Sequence, residues 1–140
     1  MGHIGLTTQS VSALGGFRLQ AKGALQAKKI MDDAKALEEA GAFSILVELI
    51  PGWLCNLITE RAQNCFIFSL GSGLHAHGQL LIYHDAFSLY LHFNPRMAKV
   101  FADAGKVIQD GFQQYVQEVT EPRLPEAENW FGMPDRSTMN

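Results

Sequence analysis

The chain contains 140 residues, of which 47% are hydrophobic and 18% charged, and its formal net charge is −3. This composition is too apolar for a disordered chain, and the length suits one domain. The near balance of 11 basic and 14 acidic residues gives no electrostatic footprint for nucleic acid, and no apolar run approaches the ~20 residues that a membrane helix needs. Because the first residues also lack a signal-peptide pattern, we expect a cytoplasmic protein with neither a nucleic-acid nor a membrane partner.

The first long pattern in the chain predicts an amphipathic helix over residues 24–40. Its apolar residues recur at helical spacing, and charged residues occupy the opposite face. Gly41 follows where glycine commonly ends a helix. Residues 43–50 then form an almost continuous apolar run that stops at Pro51. Such a run is typical of a parallel strand covered on both faces.

The remaining sequence predicts an alternation of helices and strands. In chain order these are a helix over 54–61, a strand over 65–70 closed by the loop 71–73, a helix over 78–85, a strand over 87–89, and one or two helices over 97–119 interrupted near Gly105 and Gly111. Residues 121–140 contain three prolines and are predicted to be an irregular tail. This order predicts an α/β fold with a mainly parallel sheet.

Glu48 is the residue that most clearly suggests chemistry. It is the only charged residue between Glu39 and Glu60, and it lies inside a buried-strand pattern. A carboxylate there must be paired, bound to a metal or partly protonated, and a carboxylate destabilised by burial can act as a general base near neutral pH. The alternative is a structural carboxylate that pairs with a basic residue or caps the following helix, and the residues alone do not decide between the two.

For the other residues of chemical interest, the structural explanation is the favoured one. Cys55 and Cys65 stand among apolar neighbours, where free cysteine behaves as a small hydrophobe, so we expect buried, reduced thiols. The loop 71–73 (GSG) could bring backbone amides to an anion or simply form a tight turn. His75 and His77 have poor metal spacing without further ligands. His3 lies next to the chain terminus, where a histidine side chain is usually solvated.

Several motifs in register resemble those of the ketopantoate hydroxymethyltransferase family. Residues 2–10 (GHIGLTTQS) and 15–20 (GGFRLQ) are similar to that family's GLTPQS and GG-[FY]-[KR]-[VL]-Q signature, and residues 41–51 (GAFSILVELIP) to its glutamate-bearing strand. Shorter motifs follow in the same order at residues 71–73, 78–79, 84–87 and 95–99. The resemblance extends from residue 2 to about residue 119.

The resemblance implies a (β/α)₈ TIM barrel, of which residues 1–120 would be the C-terminal half, about four βα units, followed by the tail 121–140. It implies hydroxymethyl transfer from 5,10-methylenetetrahydrofolate to 3-methyl-2-oxobutanoate, giving ketopantoate in pantothenate biosynthesis. Glu48 aligns with the family's general base, which removes the C3 proton, and His3 with a histidine beside the substrate. The Mg²⁺ that holds the keto acid is bound, in the family, by residues of the upstream half, so we expect no metal ligand in this chain.

The sequence also departs from the family's motifs. Ser69 and Ser72 stand where the family has glycine and alanine, His77 replaces an aspartate, and Leu49 replaces the cysteine after the glutamate. Four strands cannot close a barrel, so a half-barrel would leave strand edges and an apolar face open. By resemblance the partners are the keto acid, the folate and either further copies in a homo-oligomer or a complementing half-barrel. The alternative is a catalytically inactive half-barrel that serves as a structural or partner-binding piece.

Overall fold

A computed structural model describes residues 1–132 of the chain. Its helices and strands, in chain order, are β1 (Gly2–Gly5), α1 (Ala24–Glu39), β2 (Ser44–Glu48), α2 (Gly52–Arg61), β3 (Phe66–Leu70), β4 (Gly78–Gln79), α3 (Tyr83–Ala86) and α4 (Ala104–Thr120). Two short 3₁₀ turns add to these, at Thr8–Ser10 and Ala127–Asn129. None of the helices within residues 1–132 is long and apolar enough to cross a membrane.

The four strands form one sheet in the order β1-β2-β3-β4, and every neighbouring pair is parallel. The register places Gly5 beside Glu48 and Glu48 beside Leu70. The carboxyl ends of the first three strands therefore meet at one edge of the sheet. The predicted α/β class with a parallel sheet is confirmed.

The two faces of the sheet differ because side chains alternate along each strand. One face presents Ile4, Ile45, Val47 and Ile67, which are buried. Helix α1 packs against β1 and β2, and α2 packs against β3. The opposite face presents His3, Leu46 and Phe68, which are partly exposed. The hydrophobic core thus lies between the sheet and the helices.

Helix α1 matches its prediction closely, including its end. The Gly41 N–H donates to the Glu38 carbonyl, and the Ala42 N–H donates to the Leu37 carbonyl. These are the two bonds of a Schellman motif, which needs a residue in the left-handed conformation at the first position beyond the cap. Gly41 occupies that position with φ of 87°, and glycine adopts this conformation without the Cβ clash that other residues suffer.

The elements over residues 78–89 differ from the sequence-based prediction. Residues 78–79 form β4, although a helix was predicted over 78–85, and α3 covers only Tyr83–Ala86. Residues 87–89 contain no strand. Short apolar runs such as 80–82 have no decisive period, so a strand and a helix cannot be distinguished locally. Pairing decides the outcome here: Gly78 lies beside Phe68 in the sheet, and the Leu80 N–H donates to the Ser69 carbonyl.

Helix α4 is continuous, so the predicted interruption near Gly111 is wrong, and it begins at Ala104 and not near Met97. The Asp103 side chain caps its first turn by accepting from the Lys106 N–H. A single glycine in a helix interior is unfavourable but tolerated. Helix α4 also presents exposed apolar side chains, among them Val107, Phe112 and Val116.

The chain divides into two compact units. The first comprises Met1–Tyr83 and Pro95–Ala98, and it contains the sheet, α1 and α2. The second comprises, among the described residues, His84–Asn94 and residues 99–132, including α4. Within the predicted tail, residues 121–132 hold the 3₁₀ turn at Ala127–Asn129, and the rest of the tail, residues 133–140, lies outside the described residues.

Candidate active site

Glu48 is the last residue of β2, at the carboxyl end of a parallel strand. Only 7% of its surface is exposed. The neighbouring loop 71–73 follows β3 directly, so it lies at the same edge of the sheet. Catalytic groups of parallel α/β folds collect at this edge. The predicted placement of Glu48 within a buried parallel strand is confirmed.

His3 is the hydrogen-bond partner of the Glu48 side chain. The distance between His3 Nε2 and Glu48 Oε2 is 2.9 Å. In the register, His3 lies beside Leu46 and Gly5 lies beside Glu48, so the two side chains are diagonal neighbours on one face of the sheet. Because Gly5 has no side chain, the imidazole ring can reach past it to the carboxylate.

The backbone at Gly5 packs closely against the carboxyl end of β2. Gly5 has φ of 88°, and a Cβ built there would lie 2.1 Å from the Glu48 carbonyl oxygen. The next residue, Leu6, donates its N–H to that same oxygen at 2.9 Å. Both the dihedral angle and the close approach therefore require glycine at this position. This packing brings the end of β1 against the residue that carries the carboxylate.

The hydrogen bond gives a nearly buried carboxylate the partner that it needs. Burial of an unpaired polar group is costly, and an ionised carboxylate can only accept hydrogen bonds. With Glu48 ionised, His3 Nε2 therefore carries the proton and donates it. Glu48 is thus a paired carboxylate whose partner is a histidine and not a lysine or arginine, an arrangement that fits both a catalytic and a structural role. The pair joins the two residues that sequence analysis singled out separately.

The loop 71–73 forms a tight turn held by two serine hydroxyls. Ser69 Oγ accepts from the Ser72 N–H at 3.1 Å and donates to the Gly73 carbonyl at 3.0 Å. Ser72 Oγ donates to the Val47 carbonyl at 3.0 Å and accepts from the Ile50 N–H at 3.2 Å. The Ser72 amide is thus already used within the protein and does not point to an anion. Sequence analysis missed the role of these serines; their presence in a buried strand and its loop was the available signal.

His77 also takes a structural position. Its Nδ1 accepts from the Ile67 N–H at 3.0 Å, and its ring stands edge-on to Phe66, with ring centroids 5.8 Å apart. The residue therefore supports the edge of β3 just before β4 begins. Within residues 1–132, no group of three or more His, Cys, Asp and Glu side chains is placed to hold a metal ion.

A separate cavity of about 530 Å³ lies between α1 and α2. Its lining includes Glu38, Arg61 and Cys65, and it approaches the amino end of β3 and not the edge with Glu48. Glu38 accepts the Gln63 and Asn64 N–H groups at 2.7 and 2.6 Å, which ties the loop after α2 to α1. The cavity is therefore not part of the Glu48 site.

Both cysteines are free and buried, as expected. Burial raises the pKa of the Cys55 thiol above its ordinary value, although Thr59 partly opposes this shift. Burial also raises the pKa of the Cys65 thiol. A raised pKa keeps a thiol protonated and unreactive near neutral pH. Neither thiol is therefore suited to nucleophilic catalysis.

The chain is similar in sequence to known proteins of one family. The sequence profile of the ketopantoate hydroxymethyltransferase family matches residues 1–127. Relatives named 3-methyl-2-oxobutanoate hydroxymethyltransferase include one from Clostridium botulinum (strain Langeland), 46% identical over 96% of this chain and 49% of the relative. Another, from Carboxydothermus hydrogenoformans, is 47% identical over 95% of this chain and 48% of the relative.

A third relative of the same name, from Thermus thermophilus, is 40% identical over 94% of this chain and 50% of the relative. The chain thus spans about half the length of the curated relatives that it matches. Four parallel strands with their helices are consistent with the C-terminal half of a TIM barrel. The chain belongs to the ketopantoate hydroxymethyltransferase family.

Proposed function

We propose that this chain supplies the general base of a 3-methyl-2-oxobutanoate hydroxymethyltransferase, an enzyme of pantothenate biosynthesis. The observation that carries the proposal is the Glu48 carboxylate, nearly buried at the carboxyl end of β2 and 2.9 Å from His3. The names of the relatives support the substrate, 3-methyl-2-oxobutanoate. The family supports 5,10-methylenetetrahydrofolate as the one-carbon donor.

In the proposed reaction, Glu48 removes the proton from C3 of the keto acid. The electron pair of the broken C–H bond forms an enolate. Water hydrolyses the two C–N bonds of the folate's methylene bridge, which releases tetrahydrofolate and formaldehyde, and C3 of the enolate attacks the formaldehyde carbon. The resulting alkoxide takes back the proton from Glu48, so the hydroxymethyl group is complete and the base is regenerated. The His3 hydrogen bond engages Glu48 Oε2, so Oε1 is the oxygen that takes the proton. His3 also stands beside the keto acid in this proposal, because it shares the face of the sheet with Glu48.

The Mg²⁺ that the family resemblance implies does not fit the residues described. Within residues 1–132, Glu48 and His3 form a pair, and no third His, Cys, Asp or Glu joins them. Protein sites for Mg²⁺ use one or two carboxylates together with substrate and water oxygens. We therefore place the metal's protein ligands outside residues 1–132, and Glu48 acts as the base and not as a ligand.

The unpaired edges of the sheet indicate what kind of partner the chain would associate with. Within residues 1–132, β1 and β4 each pair on one side only, and the face with Leu46 and Phe68 stays partly exposed. Unpaired strand edges and exposed apolar faces favour association. The proposal therefore includes either a complementing half-barrel or further copies in a homo-oligomer, in the cytoplasm, where the family resemblance places the enzyme.

Replacement of Glu48 tests the proposal in a complete barrel. In a chimera, this chain takes the place of the matched half of the Carboxydothermus relative, with which it shares 47% identity. Exchange of the C3 hydrogen of 3-methyl-2-oxobutanoate in D₂O, followed by NMR, reports proton removal without folate. We expect exchange by the chimera, and Glu48→Gln should lower its rate by about 10²–10⁴-fold, because glutamine keeps the shape but cannot accept the proton.

A matched control is Glu60→Gln, because Glu60 is an exposed glutamate of α2 that accepts from Asn56. This variant should exchange at the chimera's own rate. His3→Ala should raise the KM for the keto acid. Equal rates for the chimera and Glu48→Gln would remove Glu48 from the mechanism. A folded chimera that shows no exchange would favour the alternative, a structural half-barrel without catalysis.

A further inference from the structure

The backbone that carries Glu48 turns sharply as it leaves the sheet. Leu49, the next residue, has φ of 48°, which lies in the left-handed region. For a residue with a Cβ this conformation is strained and persists only where surrounding contacts hold it. The Leu49 N–H donates to the Leu70 carbonyl at 3.0 Å, and the Gln20 N–H donates to the Leu49 carbonyl at 2.8 Å.

A single side chain joins the two ends of this turn. Ser72 Oγ donates to the carbonyl of Val47, the residue before Glu48, and accepts from the N–H of Ile50, the residue after Leu49. The Leu70 carbonyl lies farther from Ser72 Oγ, at 3.5 Å, than the Val47 carbonyl at 3.0 Å. Since a hydroxyl has one proton, Val47 is the better acceptor. Ser72 is fully buried, so water cannot replace these bonds.

The position of the carboxylate depends on this turn. Glu48 and Leu49 are the only residues between the two that Ser72 holds, and the Glu48 side chain must reach His3 Nε2 at 2.9 Å. A hydrogen bond weakens steeply when its length and angle change. Catalytic groups tolerate little misplacement, and about 1 Å can cost 10²-fold in rate.

We propose that Ser72, which in this chain replaces the alanine of the family's motif, is a positioning residue for Glu48: its hydroxyl fixes the segment from Val47 to Ile50 and so holds the carboxylate against His3 and towards the substrate. This inference rests on the proposed role of Glu48 as the base. Ser72 itself does not contact the reacting atoms in this scheme. Its effect should therefore appear in the rate of proton removal and not in keto acid binding.

Ser69 provides the matched control. It is a serine with no exposed surface, like Ser72, and its hydroxyl also makes two hydrogen bonds. Both of its partners, the Ser72 N–H and the Gly73 carbonyl, belong to its own strand and loop. Ser69→Ala thus removes a buried hydroxyl with two hydrogen bonds from the same region, but it removes no hydrogen bond to the backbone of Val47–Ile50. A loss of general stability should affect both variants, whereas loss of positioning should affect Ser72→Ala.

The first readout is the His3 imidazole in the full chain, labelled with ¹⁵N at histidine. The Glu48→Ala variant defines the His3 signal without the carboxylate contact. Ser72→Ala should move the His3 Nε2 resonance towards that reference, and Ser69→Ala should leave it in place. If Ser72→Ala does not fold, Ser72→Cys, which keeps a weak donor of similar size, should show a smaller shift in the same direction. An unmoved His3 resonance in a folded Ser72 variant would overturn the proposal.

The second readout is C3 hydrogen exchange in the chimera described above. Ser72→Ala should lower the maximal exchange rate about tenfold to a hundredfold with the KM for the keto acid unchanged, while Ser69→Ala should stay within about threefold. Equal rates for the two variants would overturn the positioning role. Absence of exchange in the parent chimera would instead contradict the role of Glu48, and the His3 resonance would then decide the structural link to Ser72 by itself.

Discussion

Among residues 1–132, most buried polar side chains have hydrogen-bond partners, and one has none. Glu48, Ser69 and Ser72 are buried, and each is hydrogen-bonded. Ser44, at the start of β2, is 1% exposed, and its hydroxyl has no hydrogen-bond partner among the described residues. Buried polar groups normally have partners, and an unsatisfied one costs about 1–3 kcal/mol.

The contrast between two buried serines gives a stability prediction. Ser44→Ala removes an unsatisfied hydroxyl, so the free energy of unfolding should stay unchanged or rise by about 1 kcal/mol. Ser72→Ala leaves the Val47 carbonyl and the Ile50 N–H without the bonds they have now, so it should lower that free energy by about 1–3 kcal/mol. Urea denaturation of the full chain measures both. A clear loss of stability in Ser44→Ala would show that its hydroxyl has a partner.

At the scale of elements, α4 shows how the same residue type can have opposite effects within one helix. Gly105 lies near its start, and a Cβ built there would lie 2.1 Å from the Ser88 carbonyl oxygen and 2.9 Å from a methyl group of Leu91. Gly111 lies in the middle of the helix, and a Cβ there meets no atom within 4 Å. Packing therefore requires glycine at one site and not at the other.

This difference predicts opposite outcomes for two identical substitutions. Gly111→Ala should raise the free energy of unfolding by about 0.5–1 kcal/mol, because alanine is the better helix former and the site is open. Gly105→Ala should lower it by about 1–3 kcal/mol, since the new methyl group would overlap backbone that cannot easily move. Thermal denaturation followed by circular dichroism compares the two. Equal effects would contradict the packing of Gly105 against residues 88–91.

At the scale of the whole molecule, the core of the first unit is closed on one face of the sheet only. Cys55 and Cys65 lie in that core, between the helices and the sheet. The opposite face carries the candidate site, and the chain spans about half the length of the relatives with which it shares 40–47% identity. Thiol chemistry can therefore report on the core without interfering with the site.

The buried Cys55 thiol gives stability a pH dependence with a definite sign. Burial raises the folded-state pKa of Cys55 above the ordinary value of 9.0, so the unfolded state loses its proton first as the pH rises. The stability linked to this thiol is therefore full below pH 9.0 and falls as the pH rises from there towards the folded-state pKa. Denaturation curves from about pH 8 to about pH 10 should show this fall, and Cys55→Ala should show a shallower one.

An independent measurement uses a thiol reagent at about pH 8, where a buried thiol reacts only after the protein opens. Both cysteines should react slowly without denaturant and rapidly when unfolded. Rapid reaction of either thiol in the folded protein would contradict the closed core. If the stability of Cys55→Ala depended on pH in the same way as that of the parent protein, the loss of stability at high pH would come from other groups.

Local sequence patterns predicted those parts of the fold that local chemistry specifies. The helical period over residues 24–40 corresponds to α1, Gly41 corresponds to its end, and the apolar runs 43–50 and 65–70 correspond to β2 and β3. Periodicity records which face of an element is buried, and it is strong in long segments. Over residues 78–89 the segments were too short for this, and strand pairing at Gly78 decided the outcome.

The sequence by itself determined that Glu48 stands at the end of a buried parallel strand, because an isolated charge in an apolar run followed by Pro51 is a local pattern. Only the tertiary structure decided its partners. His3 is 45 positions away in the chain, and Ser72 reaches the backbone on both sides of Glu48 from the neighbouring strand's loop. Such contacts depend on the register between strands and on the close approach at Gly5, which hydrophobic patterning within one strand does not specify.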